Sequence, residues 1–86
     1  MTPNYAEAYN LLKVMGVPVF EREDEPGRFL ISAEHAESGN WVDYWAEGPA
    51  YRDWAFGVNP TLDAVLDRFG LFAEWENPGC LVVCEA

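Results

Sequence analysis

The chain has 86 residues, of which 15 are acidic and five are basic, so its formal net charge is −10 at pH 7. Half of the residues are hydrophobic and 15% are aromatic, which excludes the aromatic-poor, highly charged composition of disordered chains. The length allows one domain over residues 1–86. The negative charge disfavours direct binding to nucleic acid or to an anionic membrane, because phosphate contacts need basic side chains.

A first helix is predicted over residues 3–15. Thr2 is a good hydroxyl cap, and Pro3 suits the first helical position. Apolar side chains then recur at helical spacing. Gly16 is expected to follow the helix in a left-handed conformation, and Pro18 prevents its continuation.

Three strands are predicted next, over residues 17–23, 29–34 and 41–47, with turns at 25–27 and 38–40. Their residues are rich in aromatic and β-branched types or alternate between the two faces of a strand. Turns this short cannot carry a parallel crossover. The three strands are therefore expected to form an antiparallel meander.

Residues 50–58 are compatible with a loop packed by Trp54 and Phe56 or with a short strand. Asn59 and the proline after it predict the start of a second helix, which ends at Gly70. Two further strands are predicted over 71–75 and 80–84. The order α-β-β-β-α-β-β predicts an α+β domain, in which an antiparallel sheet of three to five strands carries both helices on one face.

Cys80 and Cys84 lie four residues apart in a predicted strand, a separation of roughly 13 Å, which is too long for a disulfide. They are interpreted as buried thiols in a reducing cytoplasm, with an intermolecular disulfide as the alternative. Residues 1–10 lack a basic start followed by an apolar run, so no secretory signal is expected. No apolar stretch approaches the length of a membrane span. The predicted location is the cytoplasm.

Catalysis, cofactors and metals find little support in the sequence. His35 is the only histidine, and nothing around it resembles a nucleophile elbow. Together with the two cysteines it provides too few ligands, too far apart, for a zinc site. No glycine-rich loop precedes a helix in the pattern that binds phosphate. We therefore expect no enzyme activity, no cofactor and no specific metal.

Acidic side chains around the end of the first predicted strand are one candidate surface. Glu21, Glu23 and Glu25 would share a face if the strand continued, at steps of about 6.6 Å. DNA presents a phosphate about every 3.4 Å of axis on each strand, so a carboxylate row of this kind could imitate phosphates. The alternative is that these side chains only solvate the surface.

Aromatic side chains form a second candidate surface. Trp41 and Trp45 share one face of the third predicted strand with Asp43 between them, whereas Tyr44 lies on the other face. Both faces cannot be equally buried in a two-layer fold, so one of them is expected to expose aromatic area, which is common at binding hot spots. In the alternative interpretation, the two tryptophans pack beneath a helix.

The chain resembles small acidic anti-defence proteins carried by phages and plasmids, the class that includes anti-CRISPR and antirestriction proteins. The resemblance lies in size, charge and compact α+β order, and in the segments 21–25, 41–45 and 59–63. It implies binding without catalysis, in which the protein occupies the basic nucleic-acid channel of a host nuclease or surveillance complex.

The leading hypothesis is therefore a non-enzymatic inhibitor, monomeric or dimeric, that binds the basic surface of a nucleic-acid-handling protein. The alternative is a small structural or assembly module that self-associates through a sheet edge or an aromatic patch. The residues expected to contact the partner are Glu21, Glu23, Asp24, Glu25, Asp43, Tyr44, Trp45, Glu47 and Asp53.

Overall fold

The computed structural model describes residues 3–86, in which two α-helices and a four-stranded antiparallel sheet are the main regular elements. The elements follow in the order α1 (Pro3–Met15), β1 (Val19–Glu21), β2 (Phe29–Ser32), α2 (Pro60–Arg68), β3 (Leu71–Asn77) and β4 (Cys80–Glu85). This arrangement confirms the predicted α+β class. The predicted cap at Thr2 lies outside the described residues.

The end of α1 and the start of α2 lie where the sequence predicts them. Gly16 follows α1 with a φ of 90°, and the Val17 N–H donates to the Leu12 carbonyl at 2.9 Å, which satisfies a carbonyl that the helix itself leaves free. At the start of α2, the Asn59 Oδ1 atom accepts a hydrogen bond from the Thr61 N–H at 2.8 Å. These local contacts explain why the helix boundaries follow from the sequence.

The strands are arranged in the order β1-β2-β4-β3, so β1 and β3 form the two edges of the sheet. Ile31 in β2 is paired with Val19 in β1 on one side and with Leu81 in β4 on the other. The buried positions of the sheet face the helices and pack with them in one core. The opposite face of the sheet carries the half-buried Leu30 and Val82.

The third predicted strand, over residues 41–47, is wrong, and the meander with it. Only Val42 makes an isolated bridge there, to Val58. The Asp43 Oδ1 atom accepts from the Trp45 N–H at 3.0 Å, and the Asp43 carbonyl accepts from the Ala46 N–H at 3.0 Å. These bonds fold the backbone into a turn, because they offer the N–H groups a local alternative to a strand ladder.

Residues 38–58 form an irregular segment with two short 3-10 helices, Ser38–Asn40 and Pro49–Tyr51. The first predicted strand is also shorter than expected, since it begins at Val19 and ends at Glu21. Within residues 3–86, no helix combines the length and the hydrophobicity needed to cross a membrane.

Candidate functional site

The acidic segment at the end of β1 forms a local ion-paired turn. Because β1 ends at Glu21, the predicted row of carboxylates on one strand face is wrong. The Arg22 guanidinium lies 2.7 Å from the Asp24 carboxylate and 3.4 Å from that of Glu25, and Arg28 lies 3.5 Å from Glu25. The hydrogen bond from Arg22 lowers the pKa of Asp24 below its ordinary value. Part of this negative charge is therefore compensated within the turn itself.

The acidic turn and the 41–58 segment do not form one surface. Glu21 and Glu23 lie on the β1 side of the sheet, whereas Tyr44 contacts Trp75 of β3, at the opposite edge. Two intervening strands separate those edges by about 14 Å. The structure thus divides the residues expected to bind a partner into two groups.

The second group is built around stacked aromatic rings. The ring centroid of Tyr44 lies 4.8 Å from that of Trp45 and 5.2 Å from that of Trp75, and both pairs meet edge to face. Trp45 is 73% exposed, whereas Trp41 is half-buried and packs against the core. The two tryptophans that the sequence placed on one face therefore differ, and only Trp45 is available to a partner.

Asp43 holds this segment in place. Besides accepting from the Trp45 N–H, Asp43 donates its own N–H to the Gly57 carbonyl at 2.8 Å, and it is half-buried. Glu47 and Asp53 are exposed. Of the three acidic candidates in the segment, Asp43 shapes the loop, and the other two carry charge at the surface.

Phe56 is the most exposed large hydrophobic side chain in the described residues, at 91%. Its φ is 53° and that of Gly57 is 76°, and the Val58 N–H donates to the Ala55 carbonyl at 3.0 Å. Two consecutive positive φ values are typical of a type I′ turn, which normally carries Asn, Asp or Gly at these positions. Of the two alternatives for residues 50–58, the loop is observed, and Trp54 is half-buried in it. Phe56 does not pack this loop, since its ring is exposed.

The backbone of Phe56 is fixed although its ring is free. The Trp75 Nε1–H donates to the Phe56 carbonyl at 2.5 Å. A Cβ atom at Gly57 would collide with the Asp43 carbonyl oxygen and would crowd the Trp75 ring. The turn is therefore clamped between β3 and the 41–46 segment, and Phe56 is held out from it.

We define the aromatic surface as Tyr44, Trp45, Phe56 and Trp75. Three of these four rings border a shallow hollow of about 290 Å³, which Ala46, Trp54 and Gly57 complete. Sequence reasoning found Tyr44 and Trp45 but missed Phe56 and Trp75. No sequence signal identifies Phe56, because Phe-Gly is not a recognised turn pair and a lone Phe normally predicts burial.

Cys80 and Cys84 are free and half-buried. Burial, followed by the nearby Glu76 carboxylate, raises the pKa of the Cys80 thiol. Within residues 3–86, no three potential metal-ligating side chains lie close enough together to hold an ion.

Comparison with protein-family models, with curated proteins and with solved structures finds no match to this chain. Function is therefore inferred from the geometry of the aromatic surface.

Proposed function

We propose that this protein is a non-enzymatic inhibitor, of the anti-CRISPR or antirestriction kind, that binds the basic surface of a nucleic-acid-handling protein. Trp45 and Phe56 are its aromatic anchors. The observation that carries the proposal is the display of Phe56, which combines 91% exposure with a left-handed backbone. The left-handed backbone opposes stability and the exposed ring adds little to it, and strain of this kind in a well-held turn is typical of functional sites.

The charge around the aromatic surface favours a basic partner. Residues 41–58 contain three carboxylates and one arginine, and Glu74 lies on the neighbouring open face of β3. Complementary charge of this sign steers a cationic partner during association and makes the on-rate sensitive to salt. An aromatic anchor inside a charged rim is also the usual anatomy of a binding hot spot.

Self-association through the same aromatic surface is the second candidate. The exposed rings of Trp45 and Phe56 favour it, but two copies that each carry a net charge of −10 repel each other. Light scattering at micromolar concentration separates the candidates. A wild-type dimer that becomes a monomer in the Phe56→Asn variant would favour self-association.

The proposal is tested by capture from a nuclease-treated bacterial lysate on immobilised wild-type protein, Phe56→Asn and Trp45→Ala. Val14→Gln is the matched control, because Val14 is also an exposed hydrophobic residue, at 86%, but lies on α1. We expect wild type and the control to enrich the same nuclease or surveillance complex, and the other two variants to lose it. Elution by a salt gradient should recover that complex.

A purified complex then allows the inhibition itself to be measured. We expect wild type and Val14→Gln to block the binding of this complex to nucleic acid. The on-rate of the protein for the complex should fall as salt rises. The proposal is overturned if the captured proteins are assorted ribosomal proteins, or if Phe56→Asn and wild type capture the same proteins equally.

A further inference from the structure

The outer edge of β3 presents backbone groups that no other described segment engages. The Ala86 N–H donates to the Gly70 carbonyl at 2.8 Å, which fixes the phase of the ladder between β3 and β4. Because bonded and non-bonded pairs alternate in an antiparallel ladder, the N–H and C=O groups of Leu71, Ala73 and Trp75 point away from β4. Among residues 3–86, no backbone hydrogen bond joins these groups to another element.

A groove of about 400 Å³ runs along this edge. We call it the β3 groove, and its walls are Phe56, Val58, Phe72, Ala73, Glu74 and Trp75. Phe56 and Trp75 lie on the helix side, whereas Phe72 and Glu74 point to the open face of the sheet. The groove thus combines a free strand edge with aromatic walls, the two parts that a strand-binding site needs.

The two edges of the sheet differ in how they are protected against pairing. β1 has three residues and is preceded by Pro18, and a very short edge strand is a common protection. β3 has seven residues, no proline and an exposed phenylalanine, and its pairing with β4 is regular from Leu71 to Trp75, before a register irregularity between Trp75 and Asn77. Its charges are those of Glu74 and Glu76, which repel acidic strands but attract basic ones.

Building on the binding function above, we propose that an extended basic segment of the partner adds to β3 as a fifth strand. Residues bonded to Leu71, Ala73 and Trp75 place their side chains on the helix face, so apolar residues there contact Phe56 and Trp75. The alternate residues lie on the open face beside Glu74, where lysine or arginine fits. A second copy of this chain would bring its own Glu74 and Glu76 to the same edge, which the net charge of −10 disfavours.

The probe is a blocked heptapeptide of alternating arginine and valine, matched to the seven residues of β3. The control peptide has the same composition with the arginines grouped together. Amide hydrogen exchange by NMR should slow at Leu71, Ala73 and Trp75 when the alternating peptide binds. Phe72 and Glu74 should change little, since their N–H groups already bond to β4.

Methylation of the peptide nitrogens tests the register directly. Valine residues bond to β3 in the proposed pairing, so methylation of their nitrogens should abolish binding. Methylation of the arginine nitrogens, which point to solvent, should be tolerated. Equal binding of both methylated peptides, or of the grouped peptide, would overturn strand addition and leave attraction by charge alone.

Ala73→Pro tests the protein side, because it removes an outward N–H and leaves the β3–β4 bonds in place, a position where strands accept proline. Ala73→Ser keeps the N–H and is the matched control. We expect only the proline variant to lose the alternating peptide. Unchanged affinity of a folded Ala73→Pro variant for the alternating peptide would overturn the inference. If that variant does not fold, the inference is decided by the amide-exchange measurement on the wild-type protein.

The two proposals fail in different ways. Suppose that Phe56→Asn loses the partner, but that the alternating peptide does not slow amide exchange at β3 of the wild-type protein. This result would overturn strand addition and keep the binding function. Strand addition without capture of a nucleic-acid-handling protein would overturn the function and keep the edge site. Protection of β3 without peptide, together with a dimer mass, would assign the edge to a second copy and overturn the inference.

Discussion

The ring of Phe56 contributes little to the fold, since it is 91% exposed, whereas its backbone bears the cost of a left-handed conformation. Asparagine tolerates that conformation better than phenylalanine. We expect Phe56→Asn to raise the free energy of unfolding by about 1 kcal/mol, measured by urea denaturation. The same variant should lose the partner, which is the usual trade between stability and function.

The matched control is Val14→Gln, which removes an exposed apolar side chain from a residue with ordinary helical backbone. Its free energy of unfolding should change by less than about 0.5 kcal/mol. If Phe56→Asn lowers the free energy of unfolding instead, the ring supports the fold, and the case for it as a displayed anchor is lost.

Cys80 provides a separate prediction from its pKa. Burial and the Glu76 carboxylate both disfavour the thiolate, and the pKa is raised. Because the thiolate is the reactive form, iodoacetamide should alkylate Cys80 in a Cys84→Ser variant only at higher pH than it alkylates the urea-unfolded chain. The measurement is the pH at which each rate levels off. The same pH for both states would contradict the prediction.

Single residues were predictable where their role is local. Asn59 was recognised as a helix start because its cap bond is to a residue two positions away. Trp45 was a candidate from its residue type, but its exposure and the burial of Trp41 depend on the turn at Asp43. Phe56 was missed because its display depends on Trp75, which lies 19 positions along the chain.

Elements with strong local signals were predicted well. Both helices and the final hairpin appear where the sequence places them, because caps, prolines and glycines mark their ends. The third predicted strand is absent because an aromatic and β-branched composition indicates only a preference for strands. In residues 41–47, the side-chain and backbone bonds of Asp43 override that preference.

Gly57 is the position on which the 41–58 segment depends most closely. A side chain there must adopt a positive φ and also collides with the Asp43 carbonyl. We expect Gly57→Ala to lower the free energy of unfolding by about 1–3 kcal/mol and to disorder the aromatic surface. Thermal melts and the near-UV circular dichroism of the tryptophans would measure both effects.

Gly39→Ala is the control for this prediction, since a Cβ atom at Gly39 meets nothing within 4 Å. Its melting temperature should stay close to that of wild type. If both alanine variants behave alike, the clamp around Gly57 is not what holds the segment.

At the scale of the whole molecule, the sheet order could not be predicted from local patterns. β4 lies between β2 and β3, so it pairs with a strand that precedes it by about 50 residues. In the irregular segment after Ser38–Asn40, Tyr44 and Phe56 contact Trp75 at the β3 edge. This long-range pairing separates the acidic turn from the aromatic surface, and no turn signal encodes it.

The net charge of −10 should make stability depend on ionic strength. The molecule measures 37 × 24 × 22 Å, and the Debye length falls from about 30 Å at 0.01 M salt to about 8 Å at 0.15 M. Carboxylates on opposite sides therefore repel one another only at low salt. We expect added NaCl to stabilise the fold, and a gain of about 1 kcal/mol would raise Tm by about 4–8 °C.

A double variant with Glu7→Gln and Asp67→Asn provides the control. Both residues are exposed carboxylates, and each substitution removes one negative charge. Its Tm should start higher at low salt and rise less with added NaCl, whereas an equal rise in both proteins would contradict an electrostatic origin.

Salt should act in the opposite sense on the complex, where it screens attraction and slows association. A protein whose Tm rises with salt while its on-rate for the partner falls uses one charge field in two ways. If Tm rises and the on-rate stays constant, the carboxylates only solvate the surface, and binding depends on Trp45, Phe56 and the β3 edge alone.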